Sequence, residues 1–107
     1  MRETSVEKRL IKKVKEAGGI CMKVMPVVAG YPDRLVILPG NVLRLVETKA
    51  PGGTLRPAQR AFITRASTCD VPVAVLHTTA QVDAWVADQI SRGPGAVDAS
   101  PAPGPRG

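Results

Sequence analysis

The sequence is poor in aromatic residues, with one Phe, one Tyr and one Trp among 107 residues. Proteins that bind RNA or single-stranded DNA by base stacking need several exposed rings, so the composition argues against this mode of recognition. No apolar run approaches the roughly 20 residues that a membrane-spanning helix needs. We therefore expect a soluble protein with no membrane partner, in which any contact with nucleic acid depends on charge.

Cysteine and histidine are also scarce. Cys21 and Cys69 lie far apart, and no CxxC or Cys/His spacing surrounds them, which argues against a zinc site. Without a signal-peptide pattern, reduced thiols in a cytosol are expected. His77 is the only histidine and follows an apolar segment, so a structural place at the end of a strand is favoured over a catalytic relay.

Basic residues outnumber acidic ones, 15 against 9, giving a net charge of +6 and a pI of about 9.9. Such a balance favours polyanionic partners through counterion release. Many of the basic residues fall in one short segment, at Lys8, Arg9, Lys12, Lys13 and Lys15. The same segment is also typical of a solvated helix face, and charge alone does not separate the two interpretations.

Apolar periodicity and chain breakers predict the order α-β-β-β-α-β-α. The predicted helices cover residues 4–17, 57–67 and 78–90, and the predicted strands cover residues 20–25, 34–38, 42–48 and 71–76. The first and last helices begin with capping-box spacing, at Thr4 and Glu7 and at Thr78 and Gln81. The apolar face of the last helix is predicted at Val82, Trp85, Val86 and Ile90.

These elements form a single domain over residues 1–90, of α/β (α+β) class, with a central mixed sheet flanked by helices. Residues 91–107 consist mainly of Gly, Pro, Ala and Ser and are expected to form a disordered tail. A chain of this length buries a modest core, which favours dimerisation.

Glu7 falls within the apolar sector of the first helix. The apolar side chains of that sector are Val6, Leu10, Ile11, Val14 and Ala17. A glutamate at this position is explained either as the capping partner of Thr4 or as a carboxylate that reaches a buried site.

Glu47 and Lys49 continue a row that begins with Leu43 and Leu45, because alternate residues of a strand share a face. The simplest interpretation of this pattern is a strand that emerges from the core into water, which is common. If the turn at residues 39–41 pairs Leu38 with Val42, then Asp33 lies directly across from Glu47.

Two carboxylates facing each other repel, so a positive group should lie between them. A divalent cation together with the Lys49 ammonium would meet this need, whereas a bulge in the turn would place Asp33 and Glu47 on opposite faces. A few hard oxygen ligands suit Mg²⁺, and Mn²⁺ can substitute for it. Such an ion activates water and orients a phosphate, and a nearby lysine stabilises the transition state, which is the chemistry of phosphodiester hydrolysis.

Three ordered motifs resemble VRR-NUC domains of the PD-(D/E)XK nuclease superfamily, which have a restriction-endonuclease-like αβββαβ(α) core. The motifs are Gly30-Tyr31-Pro32-Asp33-Arg34, Glu47-Thr48-Lys49 and Gln59, with a Pro-Gly-Gly loop before Gln59. The resemblance extends from Glu7 to about Val75. It departs from the family pattern at Thr68-Cys69-Asp70, where a glycine is frequent.

The resemblance implies a role for each matching residue. Asp33, Glu47 and the backbone carbonyl of Thr48 would bind the metal, and Glu7 would approach the cluster directly or through water. Lys49 would orient or activate the attacking water. Gln59 would be an accessory site residue, and otherwise an exposed amide in a first helical turn.

The resemblance also concerns the substrate and the assembly. Free-standing members of this family, viral and bacterial, are similar to resolvases that act as homodimers on branched DNA such as Holliday junctions. The resemblance therefore also implies a location in the cytoplasm of a bacterium or of a virus-infected host cell. Arg56 and Arg60 are candidates for phosphate contacts, as is Lys12, although a solvated face explains them equally well. One alternative is an inactive DNA-binding module of the same fold. The other is a generic basic protein, and this second alternative does not explain why Asp33 faces Glu47.

Overall fold

The computed structural model describes residues 4–25 and 27–92. It contains the seven elements in the predicted order. The helices are α1 (Ser5–Glu16), α2 (Pro57–Ser67) and α3 (Thr79–Arg92), and the strands are β1 (Ile20–Lys23), β2 (Arg34–Leu38), β3 (Val42–Thr48) and β4 (Val73–Leu76).

The strands form one mixed sheet in the order β1-β2-β3-β4. The first three are antiparallel, and β4 runs parallel to β3 after the crossover through α2. Leu38 pairs with Val42 as predicted. The turn between them places Gly40 and Asn41 at φ values of 90° and 66°, a left-handed conformation that glycine and asparagine tolerate best. The hairpin therefore has no bulge, and its register is the one that sets Asp33 against Glu47.

The core lies between the sheet and the pair of helices α1 and α3, which pack against each other on one sheet face. Its buried side chains are Val6, Leu10, Val14, Val36, Leu38, Val42, Val46, Leu76, Val82 and Val86. The predicted capping box of α1 is present, with the backbone N–H of Glu7 donating to Thr4 Oγ1 and that of Thr4 to Glu7 Oε1. Across the helix pair, the Arg9 guanidinium donates two hydrogen bonds, of 2.8 and 2.7 Å, to the Asp83 carboxylate.

Two strands are shorter than predicted. The prediction of β1 to residue 25 was wrong by two residues, because after Val24 donates to the Asp33 carbonyl the chain turns away. The prediction that β4 begins at residue 71 was also wrong by two residues. Pro72 has no N–H to give to the sheet, and the N–H of Val71 is used at the end of α2, where it bonds to Ala66 O. Asp70 has φ 63°, a left-handed conformation that glycine adopts most easily.

The last helix is capped by Thr78, whose hydroxyl accepts from the N–H of Gln81, while the Gln81 side chain accepts from the N–H of His77. The prediction that Ile90 lies on the apolar face was wrong: Ile90 is exposed, and Gln89 is buried with its Oε1 accepting from Arg44 Nε. The helix continues to Arg92, and the remainder of the predicted tail, residues 93–107, lies outside the described residues. In residues 4–25 and 27–92, no helix has the length and hydropathy to cross a membrane.

Candidate active site

Glu47 lies near the end of β3 and is only 5% exposed. Its side chain is on the sheet face opposite the core, in the row of Leu43 and Leu45. Burial raises the pKa of this carboxyl to about 7, and the charge of Asp33 adds to the rise while Lys49 opposes it. The protein thus keeps an acid at a position where ionisation needs a compensating positive charge.

Two further side chains meet Glu47 at a single oxygen. Gln59 Nε2 donates a 2.8 Å hydrogen bond to Glu47 Oε2, and Lys49 Nζ lies 3.7 Å from the same atom. Lys49 comes from the same strand two residues later, and Gln59 comes from the first turn of α2. Strand β3 and helix α2 therefore bring a cation and an amide donor to one buried carboxylate.

Asp33 immediately precedes β2, and its carboxylate is held by Thr48. The backbone N–H of Thr48 donates a 2.8 Å hydrogen bond to Oδ1, and the Thr48 hydroxyl donates to Oδ2. Burial raises the pKa of Asp33, and the neighbouring Glu7 carboxylate raises it further, against the lowering effect of both Thr48 donors. Asp33 is therefore fixed in orientation while its ionisation is disfavoured.

Glu7 is the capping partner of Thr4 and also lies beside Asp33. Its Oε1 accepts the capping hydrogen bond from the Thr4 N–H, and its Oε2 lies 3.5 Å from Arg34 Nη2. Burial raises the pKa of Glu7, but the Thr4 N–H, the Asp33 carboxyl and Arg34 together lower it. Glu7 thus stays ionised beside Asp33, and α1 contributes a third carboxylate to the edge of the site.

The loop before β2 sets the position of α2. Gly30 has φ 95°, and a Cβ built on it would lie 2.4 Å from the backbone oxygen of Ala58. Only glycine permits this approach, since real Cβ atoms do not come within 3.0 Å of such an atom. The next residue, Tyr31, packs its ring edge against Phe62 at 5.5 Å between centroids. These contacts hold the first turn of α2, and with it Gln59, over Glu47.

The fit of the site to a divalent cation depends on its oxygen donors. In residues 4–25 and 27–92, no three His, Cys, Asp or Glu side chains are placed together so as to hold a metal ion by themselves. The half-buried Asp33 and the buried Glu47 remain as a pair of carboxylates, each with its pKa raised in part by the charge of a neighbour. One or two carboxylates with several waters is the donor set that Mg²⁺ accepts. The residues therefore fit such an ion, with substrate and water completing the coordination.

The family description of the VRR-NUC domain matches residues 3–80 of the chain.

The chain belongs to the VRR-NUC family.

Two similar proteins accompany the family match. A solved structure described as a VRR_NUC domain superimposes with a TM-score of 0.70 and 30% identity, covering 77% of this chain and 90% of that one. "Putative nuclease p44" of Acyrthosiphon pisum secondary endosymbiont phage 1 is 48% identical over 60 residues, which are 55% of this chain and 64% of the phage protein. The match thus spans slightly less than two thirds of that relative. The α+β fold predicted from the sequence is confirmed by the structural match.

The structure brings most of the candidate site residues together. Glu47, Lys49 and Gln59 share one oxygen atom, and Asp33 joins them across the hairpin. Glu7 reaches the group through Asp33. Thr48 contacts Asp33 through its N–H and hydroxyl, whereas a metal-binding role for its carbonyl stays a prediction. Each of these positions falls within the VRR-NUC match.

The candidate DNA contacts lie further out. Arg56 and Arg60 are exposed at the start of α2, and Arg60 Nη1 donates to the Leu55 carbonyl. Lys12 is exposed on α1, five residues from Glu7 and therefore roughly 140° around the helix from it. The structure thus places the two arginines on the helix that carries Gln59, and it does not bring Lys12 to the site.

Two residues of the site region were missed from the sequence. Arg34 is 3% exposed and pairs with Glu7. The sequence could have indicated this buried arginine, because Arg34 shares the core-facing side of β2 with Val36 and Leu38. Gly30 was noted only as part of a motif. Its positive φ and its close contact with α2 depend on tertiary structure, and no local pattern indicated them.

Proposed function

We propose that this VRR-NUC protein is a metal-dependent endonuclease that hydrolyses phosphodiester bonds in DNA. The observation that carries the proposal is the convergence of Lys49 and Gln59 on one oxygen of the buried Glu47, with Asp33 across the hairpin. Bringing two carboxylates and a lysine together inside the protein lowers the free energy of unfolding, because like charges are buried side by side. It is useful when a cation and a phosphate occupy the space beside it.

Asp33 and Glu47 would hold the cation, which is Mg²⁺ with Mn²⁺ as a substitute. When bound, the cation lowers the pKa of a coordinated water and offsets the charge that develops on the phosphate. Glu7 acts on this pair indirectly, since its negative charge beside Asp33 increases the attraction for a cation. Gln59 keeps the Glu47 carboxylate in one orientation through its amide hydrogen bond.

Lys49 is the group of this chain that meets the reacting atoms. Its ammonium lies beside Glu47 and has three donors, with which it orients water and stabilises negative charge on the phosphate oxygens. In the hydrolysis, the water oxygen forms a bond to phosphorus as the bond between phosphorus and the leaving sugar oxygen breaks. The water loses a proton and the leaving oxygen gains one.

The substrate is proposed to be branched DNA, such as a Holliday junction, cut by a homodimer. Support comes from the net charge of +6, from the exposed Arg56 and Arg60 next to Gln59, and from the resemblance to free-standing family members. Phosphate contacts by arginine give affinity that falls steeply with salt. A two-fold symmetric enzyme also matches a DNA substrate with two equivalent strands to cut.

The experiment is cleavage of labelled four-way junction, flap, linear duplex and single-stranded DNA of matched sequence, with Mg²⁺, Mn²⁺ or EDTA. We expect cleavage that requires the metal and is fastest on the junction. Glu47→Gln should abolish it, because the substitution keeps the shape of the side chain and removes its charge. Glu16→Gln on the exposed side of α1 is the matched control and should cleave as the wild type does.

Each result bears on a separate part of the proposal. Cleavage in EDTA would contradict metal dependence, and equal rates on duplex and junction would contradict the preference for branches. Tight binding of the junction without cleavage in the presence of either metal would contradict the nuclease proposal and would favour an inactive DNA-binding module.

A further inference from the structure

Lys23 ends strand β1 at the edge of the sheet, and its side chain is exposed. It faces Arg34 directly across the antiparallel pair of β1 and β2, so the two side chains share the sheet face that carries the core. The next residue, Val24, donates a 2.9 Å hydrogen bond from its N–H to the backbone carbonyl of Asp33. The end of β1 is therefore fixed beside the first residues of the site.

Two cations face each other at this place, with one carboxylate near both. Like charges directly opposite in a sheet are destabilising, because their Cβ atoms lie only roughly 4.5 to 5.5 Å apart. Glu7 offsets this repulsion, since its Oε2 lies 3.5 Å from Arg34 Nη2 and the charge of Lys23 also lowers the Glu7 pKa. Arg34 is the partner in contact, and Lys23 belongs to none of the ion pairs among residues 4–25 and 27–92. The Lys23 ammonium thus keeps its N–H donors for another anion.

A lysine on an edge strand also has a simpler explanation, because such lysines prevent the edge from pairing with another chain. Any exposed position of β1 would serve that purpose. It does not require a lysine placed against Arg34, where like charges repel. An anion that binds next to the carboxylates accounts better for this position.

Exposed cations lie at both borders of the site. At one border, the backbone N–H of the exposed Arg56 donates to Gln59, which donates in turn to Glu47. At the other border, Lys23 lies beside Glu7 on the opposite face of the sheet from Glu47. Carboxylates repel a phosphate unless a cation binds it, so a DNA strand that crosses the site needs a positive group on each side. Lys23 supplies the one that the arginines of α2 do not.

We propose that Lys23 binds a backbone phosphate of the DNA on the side of the site opposite to Arg56. This inference rests on the proposed nuclease function and adds a substrate contact to it. A lysine ammonium is a compact point charge on a flexible stem, which suits a single phosphate whatever the base sequence. Lys23 therefore contributes affinity and the position of the strand, and it does not select bases.

The test is binding of a labelled four-way junction to the full chain in EDTA, followed by fluorescence anisotropy over about 50 to 200 mM salt. We expect Lys23→Gln to lower the affinity by roughly 3- to 10-fold and to reduce the slope of log affinity against log salt by about 0.9, the value for one phosphate contact. Lys23→Ala should act in the same way, and Lys23→Arg should bind as the wild type does. Lys15→Gln, exposed in the last turn of α1, is the matched control and should also bind as the wild type does.

Neutral methylphosphonates locate the contact on the DNA. Single phosphates around the branch point are replaced one at a time, and the wild type should lose affinity where Lys23 binds. Lys23→Gln should be insensitive at that phosphate alone, because two changes to one contact are not additive. In Mg²⁺ this variant should have a raised KM with unchanged kcat and an unchanged Mg²⁺ requirement, as expected for a contact made equally before and during the reaction.

The outcomes separate this contact from the nuclease proposal. Equal affinity and salt slope in Lys23→Gln and wild type would overturn the contact and leave the nuclease standing. An equal loss in Lys15→Gln would also overturn it, since net charge alone would then explain the effect. A raised Mg²⁺ requirement with unchanged DNA affinity would mean that Lys23 acts through Glu7, which is a third contrary result.

Binding that depends on Lys23, without cleavage in Mg²⁺ or Mn²⁺, would support the contact and contradict the nuclease. A wild type that binds no DNA with or without metal would contradict both. Circular dichroism of every variant verifies that it is folded, which the exposure of Lys23 and Lys15 favours.

Discussion

Gln59 and Glu47, from two elements twelve residues apart, are joined by a 2.8 Å hydrogen bond from an amide nitrogen to a carboxylate oxygen. The other end of the Gln59 amide is also engaged, because its Oε1 accepts from the backbone N–H of Arg56 at 2.8 Å. The side chain thus caps the start of α2 and orients the buried acid at the same time. Its amide has no freedom to flip without losing both bonds.

Gln59→Ala should lower the cleavage rate by roughly 10- to 100-fold, the usual effect of removing a group that orients a metal ligand. The loss should be accompanied by weaker metal binding, measured as the Mg²⁺ concentration that gives half-maximal cleavage. Gln81→Ala is the matched control, since Gln81 caps α3 by accepting from the His77 N–H and does not donate to Glu47, so its loss should reduce stability alone. A Gln59→Ala enzyme with an unchanged metal requirement would contradict the orienting role.

Lys49→Ala should reduce cleavage by at least about 100-fold, which is typical for the loss of one group that stabilises the transition state. Metal binding should be retained or become tighter, because the substitution removes a positive charge 3.7 Å from Glu47. Isothermal titration with Mg²⁺ and Mn²⁺ measures this directly. Lys15→Ala, exposed on α1, provides the comparison, and retained activity in Lys49→Ala would show that the lysine is misassigned.

The metal-free protein should become less stable as the pH rises through the range from about 4.5 to about 7. The pKa of Glu47 is raised in the folded state to about 7 from 4.5, so the fold binds a proton that the unfolded chain has released. The stabilisation is fully present below 4.5 and is lost as the pH passes 7, up to roughly 3 kcal/mol.

Glu47→Gln should therefore be more stable than the wild type at pH 8 in EDTA and nearly equal to it at pH 5. Urea unfolding at both pH values measures the difference, with Glu16→Gln as the exposed control. Equal stability of Glu47→Gln and wild type at pH 8 would show that ionisation of the Glu47 carboxyl does not lower the free energy of unfolding.

Gly30→Ala and Gly52→Ala separate backbone strain from close contact. Both glycines have positive φ, 95° and 82°, but a Cβ on Gly52 meets nothing within 4 Å whereas one on Gly30 meets the Ala58 backbone. Gly52→Ala should cost about 1 kcal/mol through strain alone. Gly30→Ala should cost at least about 2 kcal/mol and also slow cleavage, because α2 and Gln59 must move. Similar stability and activity in the two variants would contradict the placement of α2 by this contact.

The site was predictable where chemistry follows from strand periodicity and register. The turn at Gly40 and Asn41 fixed the pairing, and the pairing placed Asp33 against Glu47 without further information. The capping residues Thr4 and Glu7 were also predictable, because the two hydrogen bonds between them lie within one helical turn.

The remainder depends on contacts between distant segments. Gln59 lies near Glu47 only because α2 crosses over the sheet face, and the sequence spacing alone allowed an exposed amide as well. Ile90 and Gln89 are adjacent, and the hydrophobic pattern selected Ile90, whereas Arg44 on β3 supplies the partner that allows Gln89 to be buried. Local pattern cannot register such a partner, since it comes from 45 residues away.

Strand β3 serves both the core and the site within four residues. Val46 is buried in the core, Glu47 and Lys49 meet at the site on the other side of the strand, and the buried Thr48 holds the Asp33 carboxylate. Each position in this stretch has a packing or a site contact, so substitutions should be accepted less often here than on the outward surface of α1. Selection for packing and selection for chemistry therefore act on neighbouring codons, and a single-residue insertion in this stretch would damage both at once.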